Sequence, residues 1–128
     1  MSDYKGEFVW YDLMTTDVDA AKAFYTDIIG WGTQDWSGPQ PYSMWTVKGK
    51  TIGGVTALPE QAKSAGSPPH WLAYVGTPDL DASFAKMQQL GGVAYVPPTD
   101  IPNVGRFCTI QDPQGAVLSL ITYATPSS

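Results

Sequence analysis

Few side chains in this sequence could carry chemistry. The single histidine, His70, lies in "PPHWLAYV", and the single cysteine, Cys108, lies in "GRFCTI". Asp12 interrupts the apolar run "EFVWYDLM", Tyr74 follows His70 by four residues, and Arg106 follows "PPTDIPNVG". An imidazole titrates near neutrality, so His70 could act as acid, base or hydrogen-bond donor. It is equally suited to a local hydrogen bond at a strand start behind Pro68 and Pro69. A carboxyl group inside an apolar strand is costly unless it has a partner. Asp12 could anchor a ligand amine, serve as a base, or pair with Arg106, which is itself either an anion clamp or a structural tie. Cys108 has no base that the sequence assigns to it and reads as a small buried hydrophobe. Phosphate-loop, dinucleotide and Gly-x-Ser-x-Gly patterns are absent.

Composition narrows the setting for these groups. A chain of 128 residues fits one compact domain. With 43% hydrophobic and 15% charged residues it is ordinary for a globular protein. The net charge of −5, with only seven Lys and Arg, disfavours nucleic-acid partners, which demand clustered cations. No apolar run is long enough to span a bilayer, and no basic stretch suits anionic lipid. "MSDYKGEF" lacks the features of a signal peptide, and a lone cysteine forms no internal disulfide. Together these lead us to expect a cytoplasmic protein with neither nucleic-acid nor membrane partners.

The elements that must position the side chains come in two matching sets. "WYDLMTTDVDAAKAFYTDIIGW" at residues 10–31 is echoed by "WLAYVGTPDLDASFAKMQQLGG" at 71–92. A displacement of 62 residues pairs Thr15 with Thr77, Asp17 with Asp79, Asp19 with Asp81, and Gly30 with Gly92. Further on, a displacement of 63 pairs Thr46 with Thr109 and Thr56 with Ser119. Residues 7–14 and 70–76 read as strands. "TTD" and "TPD" supply helix caps. Val18, Ala21, Tyr25 and Ile28, and then Leu80, Phe84, Met87 and Leu90, recur at helical spacing. Shorter strands are expected near 31–36, 42–48, 52–58, 93–97, 105–111 and 116–121. "KGK" and "DPQG" are tight-turn chemistry. The glycines of "TIGGV" suggest a bulge or a close backbone approach. The chain thus reads as a single domain over residues 1–128. Module one is about 7–58, a Pro- and Gly-rich linker covers 59–69, and module two is about 70–123, each module being βαβββ.

Two such modules, with "TTDVDAAKAFYTDIIGW" and the closing "DPQGAVLSLI", resemble the vicinal oxygen chelate superfamily of glyoxalases, bleomycin-resistance proteins and extradiol dioxygenases. The order "WYDLMTTD…PPHWLAYV…GGVAYVPPTDIPNVGRF…DPQGA" is more narrowly similar to a glyoxalase-like, hydroxylase-named branch, and the likeness covers residues 7–123. It implies an α+β fold in which two tandem βαβββ modules form a curved, cup-shaped mixed sheet with helices outside. It also implies a homodimer and, in metal-dependent members, ligands on each module's first and last strands. Carried over by position, those ligand places fall on Trp10, Thr56, Leu72 and Ser119. None of these is a histidine or a carboxylate, and neutral hydroxyls hold a divalent ion poorly. The expectation is therefore no metal and no other cofactor, a divalent ion on a slipped His70–Asp12 set being the lesser alternative.

Strand alternation puts Phe8, Trp10, Asp12 and Met14 on one face, with His70, Leu72 and Tyr74 on its counterpart. Thr56 and Ser119 share that floor with Gly54 and Val117, and Arg106 stands by. The opposite set, Val9, Tyr11, Leu13, Trp71, Ala73 and Val75, is expected to pack under the helices. An aromatic trough with few polar groups suits a small organic molecule, and aromatic side chains merely filling the cup would look the same. Two functions follow. One is a metal-independent binder that sequesters an aromatic or peptide-like compound. The other is a glyoxalase-like enzyme, of lyase, isomerase or hydroxylase type, using Asp12, His70 or Tyr74 in proton transfer.

Overall fold

A computed structural model describes residues 4–38 and 41–124. Its elements run β1 (Phe8–Thr15), α1 (Val18–Ile29), β2 (Gly32–Asp35), β3 (Ser43–Val47), β4 (Lys50–Ala57), α2 (Glu60–Ser64), β5 (His70–Gly76), α3 (Leu80–Gln89), β6 (Val93–Ile101), β7 (Gly105–Gln111) and β8 (Val117–Tyr123). They fall into two compact units, one of residues 10–72 and one of 73–128 joined by 1–9. The βαβββ order occurs twice, as the repeat requires. The 59–69 linker is not wholly irregular, because it holds the short helix α2. The run "PPTDIPNVG" is mostly strand: β6 continues through Ile101, with register shifts at Ala94/Val96 and Val96/Thr99. Pro97 and Pro98 lack an N–H, and they occupy the stretch where the ladder skips.

In the unit of residues 10–72 the strand order is β2-β3-β4-β1, with β1 parallel to β4 and the other pairs antiparallel. Asp17 caps α1, its side chain accepting from the Ala20 N–H, and Gly30 ends the helix in the left-handed region at φ 90°. Only a residue without Cβ adopts that cheaply. Leu13, Trp45 and Val55 form the buried core, and Val18, Ala21, Tyr25, Trp31 and Ile52 pack on it. Tyr25 stacks with Trp31 at 5.9 Å and meets Trp45 and Trp71 edge-on at 5.6 and 5.4 Å. Leu13 and Trp71 therefore lie on the helix face, as alternation predicts, although Tyr11 and Trp71 keep substantial exposure. The fourth member of the stripe fails, since Ile28 is exposed. It sits in the last turn of α1, beyond Val18, Ala21 and Tyr25, which pack on the core.

In the other unit the order is β5-β8-β7-β6, again with one parallel pair, β5 with β8. Residues 4–7 attach to the end of β5 through Gly6 N–H to Gly76 O and Gly76 N–H to Glu7 O, each 2.9 Å. Asp79 repeats the Asp17 cap, accepting from the Ala82 N–H, and Leu80 is buried beneath α3. Leu90 is exposed too, because it follows the last helical residue as the cap of α3. Asp112 folds the "DPQG" turn by accepting from the N–H groups of Gln114 and Ala116, each 2.9 Å.

Candidate functional site

β1 carries Asp12 into register with Gly54 of β4, and Met14 into register with Thr56. Asp12 is buried, and its Oδ1 accepts from Trp10 Nε1 at 3.0 Å and from the Tyr42 hydroxyl at 2.5 Å. Trp10 Nε1 also donates to the Tyr42 hydroxyl at 2.7 Å. The carboxyl group in the apolar strand is thus satisfied within its own unit, as burial demands. Gly54 makes this arrangement sterically allowed, because a Cβ there would lie 1.9 Å from the Tyr42 hydroxyl oxygen. Gly53 has a different constraint, the backbone carbonyl of Tyr11. The glycines of "TIGGV" are therefore close-approach residues, and the bulge lies on the same strand at Ile52, since Trp45 pairs with Gly53 and Thr46 with Thr51.

Beside this network opens a cleft of about 410 Å³, lined by Val18 and Lys22 of α1, Asp35, Trp36, Tyr42, Ser43 and the end of β4. Trp36 and Tyr42 meet edge to face with centroids 5.7 Å apart, so they form an aromatic corner. Thr56 lines the cleft and donates to the Pro41 carbonyl at 3.2 Å. Ser43 donates to Asp35 Oδ1 at 3.0 Å, and Lys22 Nζ lies 3.8 Å from the same oxygen. Tyr42 belongs to both features. Its ring walls the cleft while its hydroxyl engages Asp12. Sequence reading missed Tyr42, Trp36 and Lys22. Gly54 was the available signal, since a glycine opposite a strand carboxyl leaves room for a side chain from elsewhere.

The remaining residues singled out in the sequence lie in other surroundings. Phe8 is 60% exposed at the start of β1. His70 is half-buried, and its Nδ1 is 2.8 Å from the Pro68 carbonyl, the local bond considered for it. Leu72 and Tyr74 are buried, and Tyr74 lies 6.3 Å from Phe107. Ser119 is fully buried and shares a 2.7 Å hydrogen bond with Thr109. Arg106, offered above as a partner for Asp12, finds carboxylates within its own unit. It bonds Asp81 through Nε and Nη2, both at 3.1 Å, and Asp100 through Nη1 at 3.0 Å. The hydrogen bond to Asp81 first, then that to Asp100, raises its pKa and ties α3 to β6. Burial pushes the Cys108 thiol up to about 11, so it is no nucleophile at neutral pH.

The ladders also correct the internal alignment. A displacement of 62 carries Asp12 onto Tyr74, but the last strands are related by 65, which carries Gly54 onto Ser119 and Val55 onto Leu120. The same 65 carries Ser43, Met44 and Trp45 onto Cys108, Thr109 and Ile110, pair for pair. Thr56 is therefore not the counterpart of Ser119; Gly54 is. Moving from 63 to 65 shifts the register by two, which leaves every side chain on its own face. The alternation pattern cannot detect such a slip.

A family model described as the Glyoxalase/Bleomycin resistance protein/Dioxygenase superfamily matches residues 7–120. The chain belongs to this superfamily. It is 40% identical over 125 residues to "Putative glyoxylase CFP32" of Mycobacterium bovis, covering 93% of this chain and 47% of that protein. It is 28% identical over 127 residues to the anthracycline biosynthesis protein DnrV of Streptomyces peucetius, covering 90% and 46%. The chain thus spans about half the length of the curated relatives it matches. Methylmalonyl-CoA epimerase from Mycobacterium tuberculosis shares the fold, with a TM-score of 0.68 at 18% identity, over 98% of this chain and 93% of that one.

Membership of the superfamily raises the question of a metal, and the donor set does not fit one. Trp10 directs its N–H at Asp12 and Tyr42, Leu72 has no donor atom, and Ser119 is engaged with Thr109. Gly54, the true counterpart of Ser119, has no side chain, and the Tyr42 hydroxyl fills the space beside it. Among the described residues no three His, Cys, Asp or Glu side chains are grouped to hold an ion. Among them, too, no helix is long and apolar enough to cross a membrane.

Proposed function

We propose that this protein binds a small organic molecule in the cleft walled by Trp36 and Tyr42, with no resident metal and no covalent chemistry of its own. The observation that carries the reading is the exchange at Gly54. Where the metal-dependent pattern calls for a carboxylate on the last strand, this chain has glycine, and an aromatic ring from the segment before β3 takes the space. One edit removes a ligand position and builds an aromatic wall. The volume lies within the range of small-ligand sites, which are mostly apolar with a few placed polar groups. Sequestration of an aromatic compound is the activity this site supports best.

Two measurements test it together. Elemental analysis of the purified protein should find no stoichiometric Zn, Fe, Mn or Ni. A thermal-shift screen of fused-ring aromatic compounds should find stabilisers, and Trp36→Ala should abolish their effect. One equivalent of metal, or a shift that survives Trp36→Ala, overturns the proposal.

A further inference from the structure

We infer that the cleft selects planar aromatic anions, with Lys22 as the group that reads the charge; this rests on the binding site proposed above. The corner made by Trp36 and Tyr42 offers one ring for stacking and another for an edge contact, the arrangement aromatic groups prefer. Val18 of α1 adds an apolar side chain to the lining. The polar groups then decide the charge. The hydroxyls of Thr56 and Ser43 already donate, to Pro41 O and Asp35 Oδ1, so towards a ligand they act as acceptors.

Lys22 differs. Its side chain is only 25% exposed, whereas its counter-ion Asp35 is 89% exposed and 3.8 Å away, beyond hydrogen-bond reach. Among the described residues Lys22 Nζ makes no hydrogen bond. Such a long, solvated pair is weak. The ammonium stands in the cleft wall with its donors available, while the carboxylate that faces it is largely in water. A carboxylate or phenolate on a ring held by Trp36 and Tyr42 would give Lys22 the close partner that Asp35 does not. A cationic ligand would instead have to approach Lys22 to reach Asp35.

Calorimetric titration of the full chain with three probes of one shape tests this: 2-naphthoate, neutral 2-naphthamide and 2-naphthylmethylammonium. The carboxylate should bind about fivefold more tightly than the amide, and the ammonium should bind weakest. Lys22→Met and the polar Lys22→Gln should both abolish the preference, so that naphthoate and amide bind each variant equally. Asp35→Asn should widen the preference for the anion, and 0.5 M salt should narrow it. Equal binding of the three probes, or tightest binding of the ammonium, overturns the charge assignment while the aromatic cleft stands. Failure of all three to bind overturns both.

Discussion

The two βαβββ halves place different chemistry on matching strands. In the first, Asp12 faces Gly54, and Tyr42 reaches over the glycine to donate to the carboxyl group. In the second, Tyr74 faces Ser119, and Phe107, the counterpart of Tyr42, lies beside Tyr74 without a hydroxyl to donate. Ser119 is left to pair with Thr109. The backbone repeats, but a glycine in one half and a serine in the other decide whether a bulky side chain can cross the strand. The first half becomes polar at its centre with an aromatic cleft beside it. The second is closed by rings and a hydroxyl pair.

The cores differ in the same sense, and this gives the largest expected effect. Trp45 is 1% exposed within a set of four rings, whereas its counterpart Ile110 is only half-buried. Its Nε1 is buried with no hydrogen-bond partner among the described residues, a penalty offset by the area the ring removes from water. Trp45→Ala should lower the unfolding free energy by about 3–5 kcal/mol, and Ile110→Ala by about 2 kcal/mol, in urea denaturation. Equal losses would mean that the aromatic set adds nothing beyond an ordinary core.

Exchanging the residues that distinguish the halves comes next. Tyr42→Phe imports Phe107 and removes one hydrogen bond from the buried Asp12 carboxyl group. It should cost about 1–3 kcal/mol by the same measurement. Gly54→Ser imports Ser119 and puts a Cβ where the Tyr42 hydroxyl lies. It should cost at least as much, and it should also weaken any ligand held by the Tyr42 ring. If Gly54→Ser were neutral and Tyr42→Phe costly, Tyr42 would reach Asp12 by a path that does not need the glycine.

Much of the duplication was legible because it rests on local rules. Asp17 and Asp79 are caps by residue type, and both adopt the same extended backbone, near φ −145° and −142°. The face assignment of Leu13 and Trp71 follows from strand periodicity alone. Register was not legible, because a slip of two residues preserves that periodicity, and the coincidence of Thr56 with Ser119 suggested 63 where the ladders have 65. The site was legible only in part. Asp12 was marked as a carboxyl group needing a partner. Its partner Tyr42 lies 30 residues away in the segment leading into β3, and no spacing rule connects the two. Arg106 was one of several partners offered for Asp12, on opposite charge alone. Within its own unit Arg106 pairs with Asp81 of α3 and Asp100 of β6.

The smallest expected effect concerns Cys108, whose counterpart in the first half is Ser43. Ser43 bonds Asp35 beside the cleft, whereas Cys108 is fully buried and its thiol is held up at about 11 by desolvation. In the unfolded chain a thiol ionises near about 8.5. Between those two values the unfolded state binds fewer protons than the folded one, so stability falls as pH rises. The contribution is fully present below about pH 8.5 and is lost progressively as pH approaches 11. The informative quantity is the difference between the native chain and Cys108→Ala, which isolates the thiol. The native chain should lose stability more steeply from pH 9 to 11 in thermal unfolding, with the two curves parallel below pH 8. A disulfide-exchange reagent at pH 8 should label Cys108 only after denaturant is added. Rapid labelling of the native chain, or parallel curves through pH 11, would show that Cys108 is as open to water as the cleft that its counterpart Ser43 lines.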